Sequence, residues 1–359
     1  MAKIRVLVVE DSLTVRKRML EVLSAHPDLE VVGEADDGKR GIELCQSLQP
    51  DVVTLDMMLP IMSGLAATEF IMAYCPTPIL IVSASTNRGE LFKTYEALAA
   101  GALDVLEKPL GDEPDGVWEQ RLVSTVKLIS RIKVITHLLA RLGPMGQRSS
   151  VPPPVVQPVE PEGRLRAVAI GVSTGGPAAL IEILRGLPQG FPLPILLVIH
   201  IGKLFAPAFA EWLDGQSQVR VSYARDGDPL PAVGEGRVLM ASPDSHLVLR
   251  HGTLRLTQDP ERHSCRPAVD LLFMSLAQEL GSACAACLLT GMGKDGAEGL
   301  LAIRRAGGRT IAQDESTSVV FGMPREAILL GAAEQILPLE KIAPALGALA
   351  RGAETGRRA

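Results

Sequence analysis

The chain has 359 residues, a length that predicts two domains, each large enough to bury its own core. Apolar residues make up 47% and charged residues 21%, which excludes a chain that is disordered throughout. The 36 basic residues against 41 acidic residues give a net charge of −5, without the basic excess of a nucleic-acid-binding domain.

The chain begins with the stretch MAKIRVLVVED, in which an acidic pair follows a short apolar run. That run is too short to be the apolar core of a signal peptide. The longest uncharged apolar stretch, residues 191–199, is too short and too rich in proline to span a bilayer. An odd number of cysteines, five, suits reduced thiols in a chain without an export signal. We therefore expect a cytoplasmic protein with no membrane insertion.

In the first part of the chain, short apolar runs rich in β-branched residues alternate with amphipathic segments. Buried strands are predicted at residues 4–9, 52–55, 79–82 and 105–106, and helices between them, for example at residues 12–25 and 39–48. This alternation predicts an α/β domain with a doubly wound parallel sheet that helices cover on both faces.

Acidic, hydroxyl and basic side chains follow these predicted strands, where the functional groups of open parallel sheets collect. They are Glu10, Asp11, Asp56, Ser83 and Lys108. Three carboxylates at one edge would repel one another unless a cation joined them, and oxygen ligands suit Mg²⁺. A hydroxyl and an ammonium group beside them would complete a site for a phosphoryl group. The alternative is a set of ordinary solvated strand ends.

The motifs VVEDS, TLDMMLPIMSG, VSAST and EKP make residues 3–125 resemble the receiver domain of bacterial response regulators, a flavodoxin-like fold phosphorylated by a histidine kinase. The resemblance implies these roles: Asp56 as phosphoacceptor, Glu10 and Asp11 as Mg²⁺ ligands with Asp56 and the backbone of Met58, and Ser83 and Lys108 as phosphate partners. Val105 stands where receivers often carry an aromatic switch residue, so we expect the coupling from Ser83 to differ.

Proline and glycine interrupt this pattern after the amphipathic segment 118–142. Residues 141–163 contain six Pro, three Gly and two Ser without a helical or strand period, which predicts an extended, semi-rigid linker. We therefore divide the chain into a receiver at residues 1–125, a helix and Pro-rich linker at 126–163, and a second domain at 164–350. That domain has no helix-turn-helix pattern or basic recognition helix, so a DNA-binding output is excluded.

The second domain repeats the alternation of apolar runs and helices. Strands are predicted at residues 167–170, 195–199, 238–240, 285–289 and 310–312, with a β-hairpin around His251–Gly252. A second doubly wound, Rossmann-like parallel sheet follows from this pattern. Cys284 and Cys287 form a CxxC pair within a predicted buried strand, which favours core packing over a redox or metal-binding role.

A candidate nucleophile follows the first strand of this domain. The strand RAVAI leads into the turn GVSTGGP and then into an apolar-periodic helix. This is the context that the G-x-S-x-G nucleophile motif requires, with Ser173 in its centre. Ser173 would stand at a helix N-terminus, whose N–H groups and positive end favour an oxyanion. The alternative is a glycine turn that binds a phosphate or a nucleotide.

A serine nucleophile needs a base, and the chain has six histidines. His200 alone ends a buried parallel strand, PILLVIH, at the edge expected for the serine, although an ordinary core histidine is the alternative. We expect the carboxylate that orients the base at Asp295, in the glycine-rich turn of LLTGMGKDGAEG, and Asp314 after TIAQ is its competitor. Met292 in the same turn can offer a backbone N–H.

The order Ser, His, Asp along the chain differs from the order Ser, Asp, His of α/β-hydrolases. The motifs GVSTGGP, HIGKLFAPAFAEWLD, CRPAVDLLF, LTGMGKDGAEGL and TIAQDESTSVVFGMPREA make residues 165–345 resemble the catalytic domain of chemotaxis protein-glutamate methylesterases. The resemblance implies a second activity, glutamine deamidation, and these roles: Ser173 as nucleophile, His200 as base, Asp295 as orienter, and Thr174 and Met292 in the oxyanion and substrate pocket. Ile199 and Cys265 depart from the Gln, and from the His or Tyr, that the family often carries there.

Together these features predict a hydrolase of glutamate γ-methyl esters on chemoreceptors, regulated by phosphorylation at Asp56. The esterase reaction is expected to need no cofactor, whereas phosphorylation of the receiver is expected to need Mg²⁺. The expected partners are methyl-accepting chemotaxis receptors and the histidine kinase of the pathway, and the receiver is expected to cover the catalytic edge until it is phosphorylated. The competing hypothesis is a phosphorylation-responsive binding module whose triad is inactive.

Overall fold

The computed structural model describes residues 2–84, 87–109, 116–132, 134 and 165–354. The chain divides into two compact units, residues 1–148 and 149–359, and each is described by itself. The predicted Pro-rich stretch at residues 141–163 lies outside the described residues. Among the residues that are described, no helix is both long and apolar enough to cross a membrane.

The first unit is an α/β domain built on a parallel sheet. Its strands span Ile4–Val9 (β1), Leu29–Ala35 (β2), Val52–Leu55 (β3), Ile79–Ser83 (β4) and Asp104–Glu107 (β5). Its helices span Leu13–Ala25 (α1), Gly38–Leu48 (α2), Gly64–Tyr74 (α3), Arg88–Ala99 (α4) and Val117–Ile129 (α5). Within the described ranges the strand order is β2-β1-β3-β4-β5, and every pair is parallel. The predicted doubly wound sheet is confirmed.

Two features of this unit differ from the pattern of apolar runs. Strand β2 lies at the sheet edge and buries only its first and last residues, so the sequence there lacks a continuous apolar run. Helix α5 continues to Ile129, beyond the predicted receiver boundary at residue 125. Its buried residues Trp118, Leu122, Val126 and Ile129 recur at helical spacing and pack against the domain.

The second unit holds a larger parallel sheet and one hairpin. Its strands span Ala167–Val172 (β6), Ile195–Ile199 (β7), Arg220–Tyr223 (β8), Arg237–Met240 (β9), His246–Arg250 (β10), Thr253–Thr257 (β11), Cys284–Leu288 (β12), Arg309–Gln313 (β13) and Gln335–Leu337 (β14). Its helices span Gly176–Gly186 (α6), Phe209–Gln216 (α7), Val269–Leu280 (α8), Ala297–Arg305 (α9), Met323–Leu329 (α10) and Leu339–Glu354 (α11). In the described part of the chain the sheet order is β14-β13-β12-β6-β7-β9-β8, with β10 and β11 paired separately as the predicted hairpin.

The two strands that the sequence pattern missed, β8 and β14, are the edges of this sheet. Their residues are partly exposed, whereas every residue of the central strands β6, β7 and β12 is buried. A continuous apolar run therefore marks the central strands and not the edges. Cys284 and Cys287 lie in β12 and are fully buried, as the core interpretation of the CxxC pair predicts.

Strand register brings the candidate catalytic residues to one edge. Val172 of β6 pairs with Ile199 of β7, so that Ser173 and His200 leave adjacent strands side by side. The backbone N–H of His200 donates to the carbonyl of Val172 over 3.1 Å. On the other side of β6, the N–H of Ser173 donates over 3.0 Å to the carbonyl of Thr290, which follows β12.

Candidate active site and phosphoacceptor site

Ser173 occupies a cramped turn between β6 and α6. Gly175 has a φ of 79°, and a Cβ atom there would lie 2.6 Å from the side chain of Val319. The turn closes with a hydrogen bond of 2.8 Å from the N–H of Gly176 to the carbonyl of Ser173, and Pro177 stands in the first turn of α6. The serine therefore precedes a helix N-terminus on a backbone that only glycine permits at residue 175.

His200 and Asp295 form a close, largely buried pair. Their Nε2 and Oδ2 atoms are 2.9 Å apart, and the side-chain exposures are 16% and 2%. The carboxylate also accepts the backbone N–H groups of Val269 and Asp270, over 2.7 and 3.0 Å, at the first turn of α8. Although burial alone raises the pKa of Asp295, these bonds and the imidazole hold it below its usual value. The acid is fixed as a carboxylate that accepts from the imidazole.

The surroundings of His200 favour the charged form of its imidazole. Burial alone lowers the pKa of His200, but hydrogen bonds with Asp295 and Cys265 outweigh it and raise the pKa to about 9. Because Nε2 faces Asp295, the second ring nitrogen, Nδ1, is the one left to act as base. It lies 3.8 Å from the sulfur of Cys265.

No hydrogen bond joins the Ser173 hydroxyl to His200, although both are among the described residues. Free enzymes often hold such pairs at longer distance and tighten them when the substrate is in place.

The other candidate acid and bases are engaged elsewhere. Asp314 accepts from the backbone N–H of Thr317 over 3.0 Å and so caps a local turn after β13. Buried His246 accepts the N–H of Ala268 at Nδ1, over 3.1 Å, and faces the carbonyl of Pro260 with Nε2. His251 occupies the hairpin tip with a φ of 52°.

Backbone donors line the turn beside the serine. Among the described residues, the N–H groups of Thr174 and Met292 make no hydrogen bond within the protein. Both flank Ser173, whose own N–H is bound to the strand-end residue Thr290. Free N–H groups of this kind can stabilise a developing oxyanion. Met292 is about half exposed.

Two buried polar residues that the sequence analysis did not single out hold this loop cluster together. The Thr290 hydroxyl donates to the carbonyl of Thr174 and accepts the N–H of Val320, each over 2.9 Å. The Gln313 side chain accepts the N–H of Thr290 over 2.8 Å and donates to the carbonyl of Thr317. The signal was present, because Gln313 is the last residue of β13 and Thr290 closely follows the buried, apolar strand β12.

In the first unit, Lys108 joins the two central carboxylates. Its Nζ lies 2.7 Å from Glu10 Oε1 and 2.9 Å from Asp56 Oδ2. Asp56 Oδ1 also accepts the N–H of Met57 over 2.7 Å. Burial lowers the pKa of Lys108, but bonds to Glu10 and Asp56 together raise it, so the ammonium stays charged.

The donor set at this edge fits a hard divalent cation. One ligand oxygen from each of Glu10, Asp11 and Asp56 lies within 4.8 Å of the other two. Oε2 of Glu10 is buried without a hydrogen-bond partner, and burial raises the pKa of this carboxyl to about 6. An unsatisfied carboxylate oxygen among three acids is the environment that Mg²⁺ relieves.

The remaining predicted residues of this site lie around it. Ser83 ends β4 and is buried, and its carbonyl accepts the N–H of Lys108 over 3.1 Å. Met58 follows the phosphoacceptor loop and is nearly half exposed. Val105 lies in β5 opposite Ile81, partly buried against the core of the unit, where it cannot make the hydrogen bond of an aromatic hydroxyl.

Comparisons with known proteins agree with this layout. Residues 168–346 match the family model described as CheB methylesterase, and residues 6–114 match the response regulator receiver domain. A protein-glutamate methylesterase/protein-glutamine glutaminase 2 of Anaeromyxobacter dehalogenans is 44% identical over 97% of this chain and 97% of its own. A protein-glutamate methylesterase/protein-glutamine glutaminase of Nitrosospira multiformis is 43% identical over 96% of each chain. The solved Thermotoga maritima CheB methylesterase catalytic domain is 39% identical and covers 52% of this chain and 98% of its own, with a TM-score of 0.49.

Proposed function

Because this chain belongs to the CheB methylesterase family, with a receiver domain ahead of the catalytic domain, we propose that it hydrolyses γ-methyl esters of glutamate side chains on chemotaxis receptors. The observation that supports this most is the 2.9 Å pair of His200 and Asp295 beside the Ser173 turn. A binding module would have no use for a buried carboxylate that orients an imidazole next to a strand-end serine.

In the proposed reaction, Ser173 attacks the ester carbonyl while Nδ1 of His200 takes the hydroxyl proton. Asp295 holds the ring and stabilises the imidazolium that forms. The N–H groups of Thr174 and Met292 bind the oxyanion of the tetrahedral intermediate. The intermediate collapses to an acyl-enzyme as methanol leaves with the proton from His200. Water then attacks the acyl-enzyme with the help of the same base, which frees the glutamate carboxylate and Ser173.

The same residues support deamidation of glutamine side chains, the second activity in the names of the relatives. An amide carbonyl accepts the Ser173 attack in the same way, and ammonia leaves in place of methanol. Protonation of the leaving nitrogen by His200 matters more here, because an amide anion is a far poorer leaving group than an alkoxide. The acyl-enzyme, and therefore the hydrolysis step, are identical.

For the receiver we propose that Asp56 accepts a phosphoryl group from the histidine kinase of a chemosensory pathway. Glu10 and Asp11 would hold Mg²⁺ together with Asp56 and the backbone of Met58; when bound, the ion neutralises charge on the phosphoryl oxygens. Lys108 already contacts the phosphoacceptor oxygen and would pair with the phosphate, and the Ser83 hydroxyl lies at the next strand end. The proposed esterase reaction uses side chains, backbone N–H groups and water, and calls on no cofactor. The five free cysteines fit a reducing compartment, and we propose the cytoplasm.

The test is turnover by the full-length chain on receptor membranes carrying radiolabelled methyl groups. We expect repeated release of methanol per enzyme molecule, and no release by the matched Ser173→Ala protein. A wild-type chain that binds methylated receptors but releases no methanol, with and without phosphodonor, would favour the inactive binding module instead.

A further inference from the structure

Cys265 is a feature of the catalytic cleft that the proposed reaction does not use. It is half-buried, and its sulfur lies 3.8 Å from Nδ1 of His200, the nitrogen assigned above as the base. The family that this domain resembles often carries His or Tyr at this position.

The thiol is held in place by a tight turn. The backbones of Arg262 and Cys265 exchange two hydrogen bonds, of 3.2 and 2.9 Å, around His263 and Ser264, which both have positive φ. The guanidinium of Arg262 and the imidazole of His263 lie 3.0 and 3.1 Å from the fully buried carboxylate of Asp270. The turn is therefore anchored to the first turn of α8, the same backbone that fixes Asp295.

Three different ligand types meet here. One ligand atom from each of His200, Cys265 and Asp295 lies within 4.8 Å of the other two. Four-coordinate Zn²⁺, with bonds of about 2.0 Å to nitrogen and about 2.3 Å to sulfur, needs ligands about 3.5 Å apart. Thiolate, imidazole and carboxylate are the ligands that Zn²⁺ prefers.

The two other acidic clusters among the described residues have a different chemistry. Glu10, Asp11 and Asp56 offer oxygen alone, which suits a hard ion. Asp270 and Glu298, grouped with His263, are already paired with the guanidinium of Arg262, which fills the place of a cation.

We propose that His200, Cys265 and Asp295 form a binding site for a thiophilic divalent cation, Zn²⁺, and that its occupancy switches the esterase off. The ion would replace the proton on Nε2, the nitrogen that faces Asp295. The neutral, metal-bound imidazole would then carry its proton on Nδ1, so no lone pair would be left to receive the Ser173 proton while the metal is bound. Binding would release the Cys265 thiol proton and, from the protonated form of His200, one imidazolium proton to solvent, and it involves no change of oxidation state. The inhibitory part rests on the proposed function, whereas binding does not depend on it.

Binding is tested with Co²⁺ on the full-length protein, because a cobalt–thiolate bond gives a near-ultraviolet charge-transfer band that oxygen ligands cannot give. We expect the band in the wild type and in the matched control Cys75→Ser, which alters a half-buried thiol of the first unit. The band should be absent in Cys265→Ser and in Cys265→Ala, with thermal unfolding recorded to show that each variant folds. Zn²⁺ should displace Co²⁺ and abolish the band. A wild type without the band, or a folded Cys265 variant that keeps it, overturns the site.

Inhibition is tested by methanol release with increasing Zn²⁺, reversed by a chelator. We expect the Zn²⁺ concentration for half inhibition to rise at least about tenfold in Cys265→Ser, each variant being compared with its own metal-free rate. If Zn²⁺ inhibits the wild type and Cys265→Ser at the same concentration, the proposed inhibition through this site is wrong. A cobalt band in a protein without esterase activity would support the metal site and refute the proposed function. An active enzyme without the band would support the proposed function and refute the metal site.

Discussion

The state of the His200 imidazole decides what the active site can do at a given pH. Burial opposes its positive charge, but Asp295 and Cys265 together more than compensate. The result is a base that is mostly protonated near neutral pH and that becomes available as pH rises. The serine beside it makes no side-chain hydrogen bond among the described residues.

This raised pKa predicts the pH dependence of the free enzyme. Only neutral His200 can accept the Ser173 proton, so kcat/KM for ester hydrolysis should rise with pH toward a plateau with an apparent pKa of about 9. In Asp295→Asn the midpoint should fall, because the charge that raises the pKa is gone. Rate profiles with a small methyl ester check both, and a wild-type midpoint near about 6.5, the value of a free imidazole, would contradict the assignment.

Ser173→Ala should lower methanol release by several orders of magnitude. The thermal unfolding temperature should hardly change, since the lost hydroxyl has no partner to leave unsatisfied. Retention of a tenth of the wild-type rate would remove Ser173 from the mechanism.

Substitution of the two candidate acids, Asp295 and Asp314, should have different effects on turnover. Asp295→Asn should slow turnover by roughly 10³–10⁴-fold, because an amide cannot hold the imidazole tautomer or stabilise its charge. Asp314→Asn, the matched control, should cost much less, since Asp314 binds a local turn. Steady-state kcat for both proteins decides the matter, and a reversed ranking would assign the orienting role to Asp314.

At the scale of elements, the site depends on two glycine-containing turns that follow the adjacent strands β6 and β12. Thr290 links them, because its hydroxyl bridges the carbonyl of Thr174 and the N–H of Val320. Gln313 at the end of β13 holds the backbone of Thr290 in turn. Buried strand ends, and not the loops themselves, therefore fix the positions of the proposed oxyanion donors, the N–H groups of Thr174 and Met292.

Replacing Thr290 with Val keeps its shape and removes both hydroxyl bonds. We expect kcat to fall by about tenfold to a hundredfold with little change in KM, since a small displacement of the turn misplaces the nucleophile and the oxyanion donors. Thr290→Ser, which retains the hydroxyl, should restore most of the rate. Steady-state kinetics with a methyl ester measure this. If the Val and Ser variants were equally slow, packing of the methyl group and not the hydrogen bonds would explain the loss.

At the scale of the molecule, two compact units, each with its own parallel sheet, carry the two chemistries. The proposed phosphoacceptor Asp56 lies in the first unit and the proposed nucleophile Ser173 in the second. The proposed regulation therefore requires a signal to pass between units joined by a predicted Pro-rich linker of about twenty residues. Phosphorylation adds a dianion that Lys108 and Mg²⁺ can hold, which can shift the receiver between two surface states.

If the unphosphorylated receiver covers the catalytic edge, a small phosphodonor with Mg²⁺ should raise the rate of methanol release. Asp56→Ala should abolish this response and leave basal turnover unchanged. Deletion of residues 1–140 should also raise the rate without phosphodonor, since the second unit has its own buried core. A truncated enzyme no faster than the unphosphorylated whole would rule out steric inhibition and favour improved receptor docking.

The sequence by itself determined the architecture and proposed the reacting groups. Apolar runs in the sequence predicted the central strands β1, β3, β6, β7 and β12, because both faces of a central strand are covered. The edge strands β2, β8 and β14 did not, since partial exposure breaks the run. Parallel strands share a carboxyl edge, and that alone brought Ser173 and His200 together.

Only the tertiary structure decided between residues of equal chemical type. Asp295 and Asp314 both follow strands that end at this edge, and only packing against the first turn of α8 turns one of them toward His200. The contact of Cys265 with His200 joins residues 65 positions apart, through a turn whose geometry depends on buried Asp270. Local patterns carry no information on such distances, because side-chain orientation is set by long-range packing, whereas strand periodicity is set by neighbours along the chain.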